Sequence, residues 1–212
     1  MIDIHVPHGT QLGVKDFFLH LFIITIGLLI ALSLEGLVEH ELHRHLAREA
    51  EAGLRVEIAN NEHELVRQRQ QIEDGQKLME ADLKVLAEMR AHPHDKRGPL
   101  NLMFSLGGFD DMSWKTAQST GAIAYMPYKD AQKFSDIYAF QDVYLRYVLL
   151  DLEDIGNADS LFISHPDDWV PSTAQIDTET ERIGKVAFNL NMLRSLVDNL
   201  DNHYQKFDAE HK

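Results

Sequence analysis

Hydrophobic residues first form an unbroken run near the start of this chain. Residues 17–34 read FFLHLFIITIGLLIALSL, which contains a histidine but no formally charged residue. A helix that crosses a membrane needs roughly 20 apolar residues. Extending the run to Val38, with Glu35 at its boundary, reaches that length. The pattern therefore predicts a short leader at 1–16 and a transmembrane helix at 17–38.

A cleaved secretory signal peptide is the alternative for this run, since Ala31 and Ser33 have the small side chains of a cleavage site. We expect a retained anchor instead. The leader carries a single basic residue, Lys15, directly beside Asp16, and the helix-forming pattern continues through the supposed cut.

The charges around the span do not decide on which side of the membrane the soluble domain lies. Arg44 and Arg48 after the span favour the cytoplasm, but long domains cross membranes largely regardless of charge, and we expect the extracytoplasmic side.

Residues 39–91 lack proline and are rich in good helix formers, so the span is expected to continue into a long stalk helix. Apolar residues recur at intervals of seven: Ile58, Leu65, Ile72, Met79 and Leu86. The companion row instead contains Asn61, Gln68 and Gly75. This predicts one apolar seam and not a complete coiled-coil core.

Proline and glycine then mark residues 92–110 as a loop, and residues 111–212 complete a helical bundle. A short helix is predicted to start after Asp110 and Asp111 and to end at Gly121. The next helix, from about Tyr128 to Leu161, is apolar on two faces, which predicts a central position. The first face comprises Phe134, Tyr138, Leu145, Leu149 and Leu152, and the second comprises Phe140, Val143, Tyr144, Tyr147 and Leu150.

The last helix, which Ser172 can cap, has the most regular apolar pattern in the chain. Its seam, with spacings of three and four, is Ile183, Val186, Leu190, Leu193, Val197, Leu200, Tyr204 and Phe207. Such a helix packs along a partner, either the stalk of the same chain or a second copy. The fold class is therefore all-α: one N-terminal transmembrane helix that continues into a stalk, packed in an antiparallel helical bundle.

Charge and composition exclude several classes of function. The net charge is −14, and no basic stripe exists to neutralise phosphates, so nucleic acid is not an expected partner. The absence of cysteine excludes disulfides, thiolate catalysis and cysteine-bound metals.

Three short motifs carry a family resemblance. The leader has His5-Val6-Pro7-His8 and Lys15-Asp16-Phe17-Phe18. The span contains TIGLLIAL at 25–32, and Trp114-Lys115-Thr116-Ala117 precedes Ser119-Thr120-Gly121. In these motifs the chain resembles a group of uncharacterised bacterial single-span membrane proteins. The resemblance implies a bacterial inner-membrane location and the same layout of leader, span and helical domain, but no activity.

Histidines after the span are the first candidate site. His40, His43 and His45 lie close to glutamates on one helix, and two chains together could complete a zinc site. The alternative is a solvated helix beside the membrane. His40-Glu41 and His63-Glu64 begin like H-E-x-x-H but have arginine in place of the second ligand, so neither is a metalloprotease motif.

Within the span, His20 can contact headgroup water, a second helix or a haem. Gly27 and Ala31 form a small-xxx-small pair that permits close helix approach. In the soluble part, Trp114, Tyr125 and Tyr138 can line a ligand pocket near the Gly121 turn or belong to the core.

Nucleophile and nucleotide motifs are absent from the sequence. We therefore expect a non-enzymatic scaffold or accessory subunit of a membrane assembly, without a cofactor. Its expected partners are the lipid bilayer and either other membrane subunits or itself. A ligand-sensing bundle and a metal or haem protein are the alternatives.

Overall fold

The chain folds into helices joined by short irregular segments. The computed structural model describes residues 13–92, 98–165 and 169–209. The helices are α1 (Val14–Ala91), α2 (Met112–Ser119), α3 (Tyr128–Ile163) and α4 (Thr173–Ala209), with a 3₁₀ turn at Ala122–Tyr125. No strand occurs in these three described ranges. The predicted all-α class is confirmed.

The first part of α1 stands apart from the rest of the molecule. Helix α1 has 78 residues and is therefore about 115 Å long. Its residues 14–42 are exposed, including the whole apolar run. Within the described residues, α1 is the one helix that is long and apolar enough to cross a membrane. Length and composition thus support the predicted span.

Helix α4 is the centre of the bundle, because it packs against both α1 and α3. All eight residues of its predicted seam are buried. Side chains tie it to α1 along its length: Arg69 contacts Asp198 and Asp201 at 2.9 and 3.1 Å, and Arg194 contacts Glu73 at 2.6 Å. The last helix therefore packs within its own chain, and the alternative of a second copy is not needed for its burial.

The start of α4 follows the predicted capping. The Ser172 hydroxyl accepts a hydrogen bond from the Gln175 amide at 3.3 Å, and the Gln175 side chain accepts one from the Ser172 amide at 2.9 Å. This reciprocal arrangement satisfies two backbone groups at the helix start.

The predicted end of α2 is a glycine turn. Gly121 has a φ of 73°, a left-handed conformation that favours glycine after α2.

The predicted central position of α3 is wrong. Its buried stripe is Phe134, Ile137, Tyr138, Gln141, Tyr144, Val148, Asp151 and Ala158, with two polar members. Of the expected apolar faces, Leu145, Leu149 and Leu152 are exposed, as are Val143 and Leu150. An apolar face on a helix predicts burial, but it does not specify burial by the same chain.

An ordered extended segment, residues 98–110, lies along α1 and is called the strap below. It runs antiparallel to α1. Asn101 lies beside Asp82, Gly107 beside Gln68, and Asp110 beside Asn61. The Asn61 side chain donates to the Asp110 carbonyl at 2.7 Å and accepts from the Asp110 amide at 2.8 Å. The polar positions that interrupt the second heptad row of α1 are therefore buried partners of the strap backbone.

Replacing Asn61 tests whether the strap depends on this pairing. We expect Asn61→Ala to lower the free energy of unfolding by about 1–3 kcal/mol, because both backbone groups of Asp110 lose their partner. Chemical denaturation measures the change. The neighbouring Asn60 is exposed, so Asn60→Ala is the matched control and should have little effect. Equal losses in both variants would contradict the assigned role of Asn61.

Candidate functional site

A buried carboxylate organises the region where α1, α2 and α3 meet. Glu57 accepts hydrogen bonds from the amides of Ser113 at 2.6 Å and Trp114 at 3.4 Å, and from the Tyr138 hydroxyl at 2.6 Å. The two amides belong to the first turn of α2, whose positive dipole end stabilises a negative charge. Burial is the largest cause, and the hydrogen bond to Glu57 the second, of a pKa of Tyr138 that lies well above its usual value. The phenol therefore remains protonated and acts as a donor.

This carboxylate places two predicted pocket residues against each other. The rings of Trp114 and Tyr138 stack at a centroid distance of 5.0 Å and an angle of 6°. They form part of the wall of an open cleft of about 350 Å³ between α2 and α3. Its other lining residues are Phe109, Asp111, Lys115, Gln118, Ser135, Ala139, Gln141, Asp142 and Leu145. Tyr125 does not line this cleft.

The polar groups of the cleft define which ligands it can accept. Lys115 pairs with Asp111 at 2.7 Å, so these charges compensate each other. Gln141 donates to the Tyr204 hydroxyl at 2.7 Å, while its carbonyl oxygen has no hydrogen-bond partner within the described part of the chain. A neutral molecule with a flat apolar part matches this aromatic wall and these compensated charges.

Three exposed leucines continue from the rim of the cleft along α3. Leu145, Leu149 and Leu152 have 42%, 57% and 50% of their surface exposed. Their spacing of four and three places them on one side of the helix, and we call them the leucine stripe. Asp142 and Arg146 form an ion pair beside it at 2.6 Å. The stripe is thus an apolar surface with a charged edge.

The three predicted metal-ligand histidines do not converge in the structure. The His43 ring stacks on Tyr125 with a centroid distance of 3.8 Å and an angle of 11°. His45 faces Glu49 at 3.4 Å, and His40 is exposed. No group of three or more metal-binding side chains is present among the residues that the structure describes. What the structure forms here is an aromatic contact between α1 and the 3₁₀ turn.

The three predicted contact residues of the span, His20, Gly27 and Ala31, are exposed on α1. His20 directs Nδ1 to the Asp16 carbonyl oxygen at 2.7 Å, a contact within its own helix. Gly27 has no atom near the position of an added Cβ, and Ala31 is exposed. Both small residues are therefore accessible to lipid or to another helix.

Sequence reasoning missed Glu57, Gln141 and Asp151. Each is a buried polar residue within a stripe that is otherwise apolar, so a helix-period search for apolar residues does not detect it. The available signal was indirect. Asn61, Gln68 and Gly75 interrupt a row of α1 in which Ala47, Leu54 and Met89 are buried. Polar residues at heptad core positions often specify a defined partner and register.

Asp151 on α3 is the most unusual of these buried groups. Its side chain is fully buried, and its two oxygens make no hydrogen bond of normal geometry within the described residues. Burial raises its pKa to about 7. The nearby Asn189 partly offsets this shift and Asp154 adds to it. Asn189 itself donates to Asp154 at 3.1 Å. Charging Asp151 therefore opposes packing of α3 on α4.

Comparisons of this chain with known protein families, curated proteins and solved structures give no match. The resemblance to bacterial single-span proteins therefore stays a prediction.

Neutralising Asp151 should stabilise the protein in a pH-dependent way. The folded pKa lies above the unfolded value of about 3.9. Wild-type stability therefore falls, relative to Asp151→Asn, as pH rises from about 4 to about 7 and then levels off. At pH 8 we expect the variant to be more stable by about 1–3 kcal/mol. Denaturant unfolding at several pH values measures this difference.

Asp136 is exposed on the same helix, and Asp136→Asn is the matched control, with little expected effect. A stability difference between Asp151→Asn and wild type that stays constant from pH 4 to pH 8 would contradict the interpretation.

Proposed function

We propose that this protein is a membrane-anchored, non-enzymatic scaffold or accessory subunit of a larger membrane assembly. The observation that carries the proposal is the leucine stripe of α3, an apolar surface that the protein's own described segments leave exposed. Contiguous exposed apolar surface on a folded domain commonly marks a site of protein contact.

The form of the stripe supports a helical partner. Three leucines at i, i+4 and i+7 give a narrow apolar row, and the Asp142–Arg146 pair borders it. Protein interfaces commonly combine an apolar centre with a polar rim, and a partner helix can pack into such a row by ridges and grooves. A neighbouring membrane subunit or a second copy of this chain supplies that helix.

The apolar span supports a membrane location. We propose insertion of residues 17–38 into a bacterial inner membrane, with the helical bundle on the periplasmic side. The exposed apolar start of α1 supports insertion, and the resemblance supports the bacterial setting. A large acidic domain after a single span is compatible with translocation, because long domains cross largely regardless of charge.

The proposal predicts a stable complex in native membranes. After extraction in mild detergent, size-exclusion chromatography should place the protein in a larger complex, and mass spectrometry should identify its components. We expect Leu149→Glu to move the protein to a smaller size, because a charge enters the apolar centre of the contact. Circular dichroism should remain unchanged, since Leu149 is exposed.

Val66 on α1 is 69% exposed, and Val66→Glu is the matched control that should preserve the complex. A wild-type protein that remains monomeric and without partners would overturn the proposal. A complex that persists in Leu149→Glu would show that the leucine stripe is not its contact surface.

The cleft between α2 and α3 supports a second candidate, a ligand-sensing module. Its stacked aromatic wall and the compensated Lys115–Asp111 charges favour this function. A thermal-shift screen with neutral heteroaromatic compounds should reveal at least one stabilising compound. The exposed Gln118 lines the cleft, so Gln118→Trp should abolish the shift by filling it.

Lys84 is exposed on the distant part of α1, and Lys84→Trp should leave that thermal shift intact. A broad screen without any stabilising compound would count against ligand sensing.

A further inference from the structure

The bundle begins very close to the end of the apolar span. His43, the first residue of α1 with a ring contact to the bundle, lies five residues after Val38. Five helical residues rise about 7.5 Å. The headgroup layer on each side of a bilayer is roughly 5–8 Å thick. If α1 crosses a membrane, the part of the bundle that touches His43 is therefore at headgroup depth.

The chain path shows which segment lies there. Asp110 pairs with Asn61, and the Ser113 side chain is 3.6 Å from a Cβ built on Gly53, so the strap and α2 run towards the span. Helix α3 runs away from it, since Tyr138 contacts Glu57 and Tyr144 contacts Gln68. Residues 121–129, called the juxtamembrane turn, connect these two directions and form the end of the bundle nearest the span.

The side chains of this turn divide into a buried base and an exposed tip. Ala122 and Met126 are buried against the bundle. Tyr125, stacked on His43, is 46% exposed, and Tyr128 is 81% exposed. Tyrosine is enriched at the membrane–water interface, where its ring meets the acyl boundary and its hydroxyl meets water. Lys129 is also exposed, and its long side chain can reach lipid phosphates.

We propose that the juxtamembrane turn rests on the lipid headgroup layer, with the rings of Tyr125 and Tyr128 as interfacial contacts. Its partner is a phospholipid surface. Charge near the turn is mixed: Arg44 follows Glu39 and Glu41 on α1, and Lys129 precedes Asp130 at the turn. A zwitterionic lipid surface is therefore sufficient, and anionic lipid is not required. This inference rests on the proposed insertion of α1.

Spin labelling tests the inference directly, because the chain has no native cysteine. The full-length protein is placed in phosphatidylcholine vesicles with one nitroxide label at Ala124→Cys, which leaves both tyrosines intact. Collision of the label with oxygen and with a water-soluble nickel chelate reports its depth. We expect a several-fold higher ratio of oxygen to nickel accessibility at position 124 than at Met103→Cys.

Met103 is 81% exposed on the strap, far from the span, and serves as the aqueous reference. A label at Leu28→Cys reports the span itself. A membrane signal at 28 with an aqueous signal at 124 would overturn this inference alone. An aqueous signal at 28 would overturn the proposed membrane anchoring, and this inference with it.

A second variant isolates the role of the aromatic rings. Tyr128→Ser in the Ala124→Cys background should shift the label towards the aqueous values, while circular dichroism stays unchanged because Tyr128 is exposed. Val66→Ser in the same background is the matched control and should cause no shift. The proposed aromatic contact would be overturned if the depth of the label did not change in Tyr128→Ser. It would also be overturned if the label reached the interface only when phosphatidylglycerol was added.

Discussion

The architecture depends on the match between a helical repeat and an extended chain. Seven residues of α1 rise about 10.5 Å, and three residues of extended chain cover about 10 Å. Each heptad along α1 therefore matches three residues of the strap. Asn61 meets Asp110, Gln68 meets Gly107, and Asp82, two heptads further on, meets Asn101. At Gly75 the repeat has no side chain, and a Cβ there would lie 3.0 Å from the Phe104 ring. The missing side chain makes room for the strap.

This match determines how the remaining elements are arranged. Asn61 holds the end of the strap one helical turn from Glu57 on α1. The first turn of α2 follows directly and binds the Glu57 carboxylate. Tyr138 then reaches the same carboxylate from α3, and Trp114 stacks on it. Near Leu145 the strap passes alongside α3, while Tyr144 of the same helix reaches Gln68 of α1 directly. The leucine stripe lies on the exposed side of this helix.

Features controlled by local physics could be predicted from the sequence. The α4 seam, the Ser172 cap, the left-handed Gly121 and the end of α1 at Ala91 follow from periodicity, capping and turn chemistry. The strap could not be predicted, because amide side chains that bind a distant backbone leave no periodic signal in that backbone. The sequence grouped Trp114, Tyr125 and Tyr138 around one turn. In the structure Trp114 and Tyr138 line the cleft, whereas Tyr125 stacks on His43.

Helix α1 extends without interruption from the apolar run into the core. Its rotation about the long axis is therefore common to both parts, and each inserted residue would turn the bundle by about 100° relative to the span. Any protein that contacts both the apolar run and the bundle part of this helix therefore meets two surfaces at a fixed angle about the helix axis. Recognition would then depend on the number of residues between Val38 and His43 as well as on their chemistry.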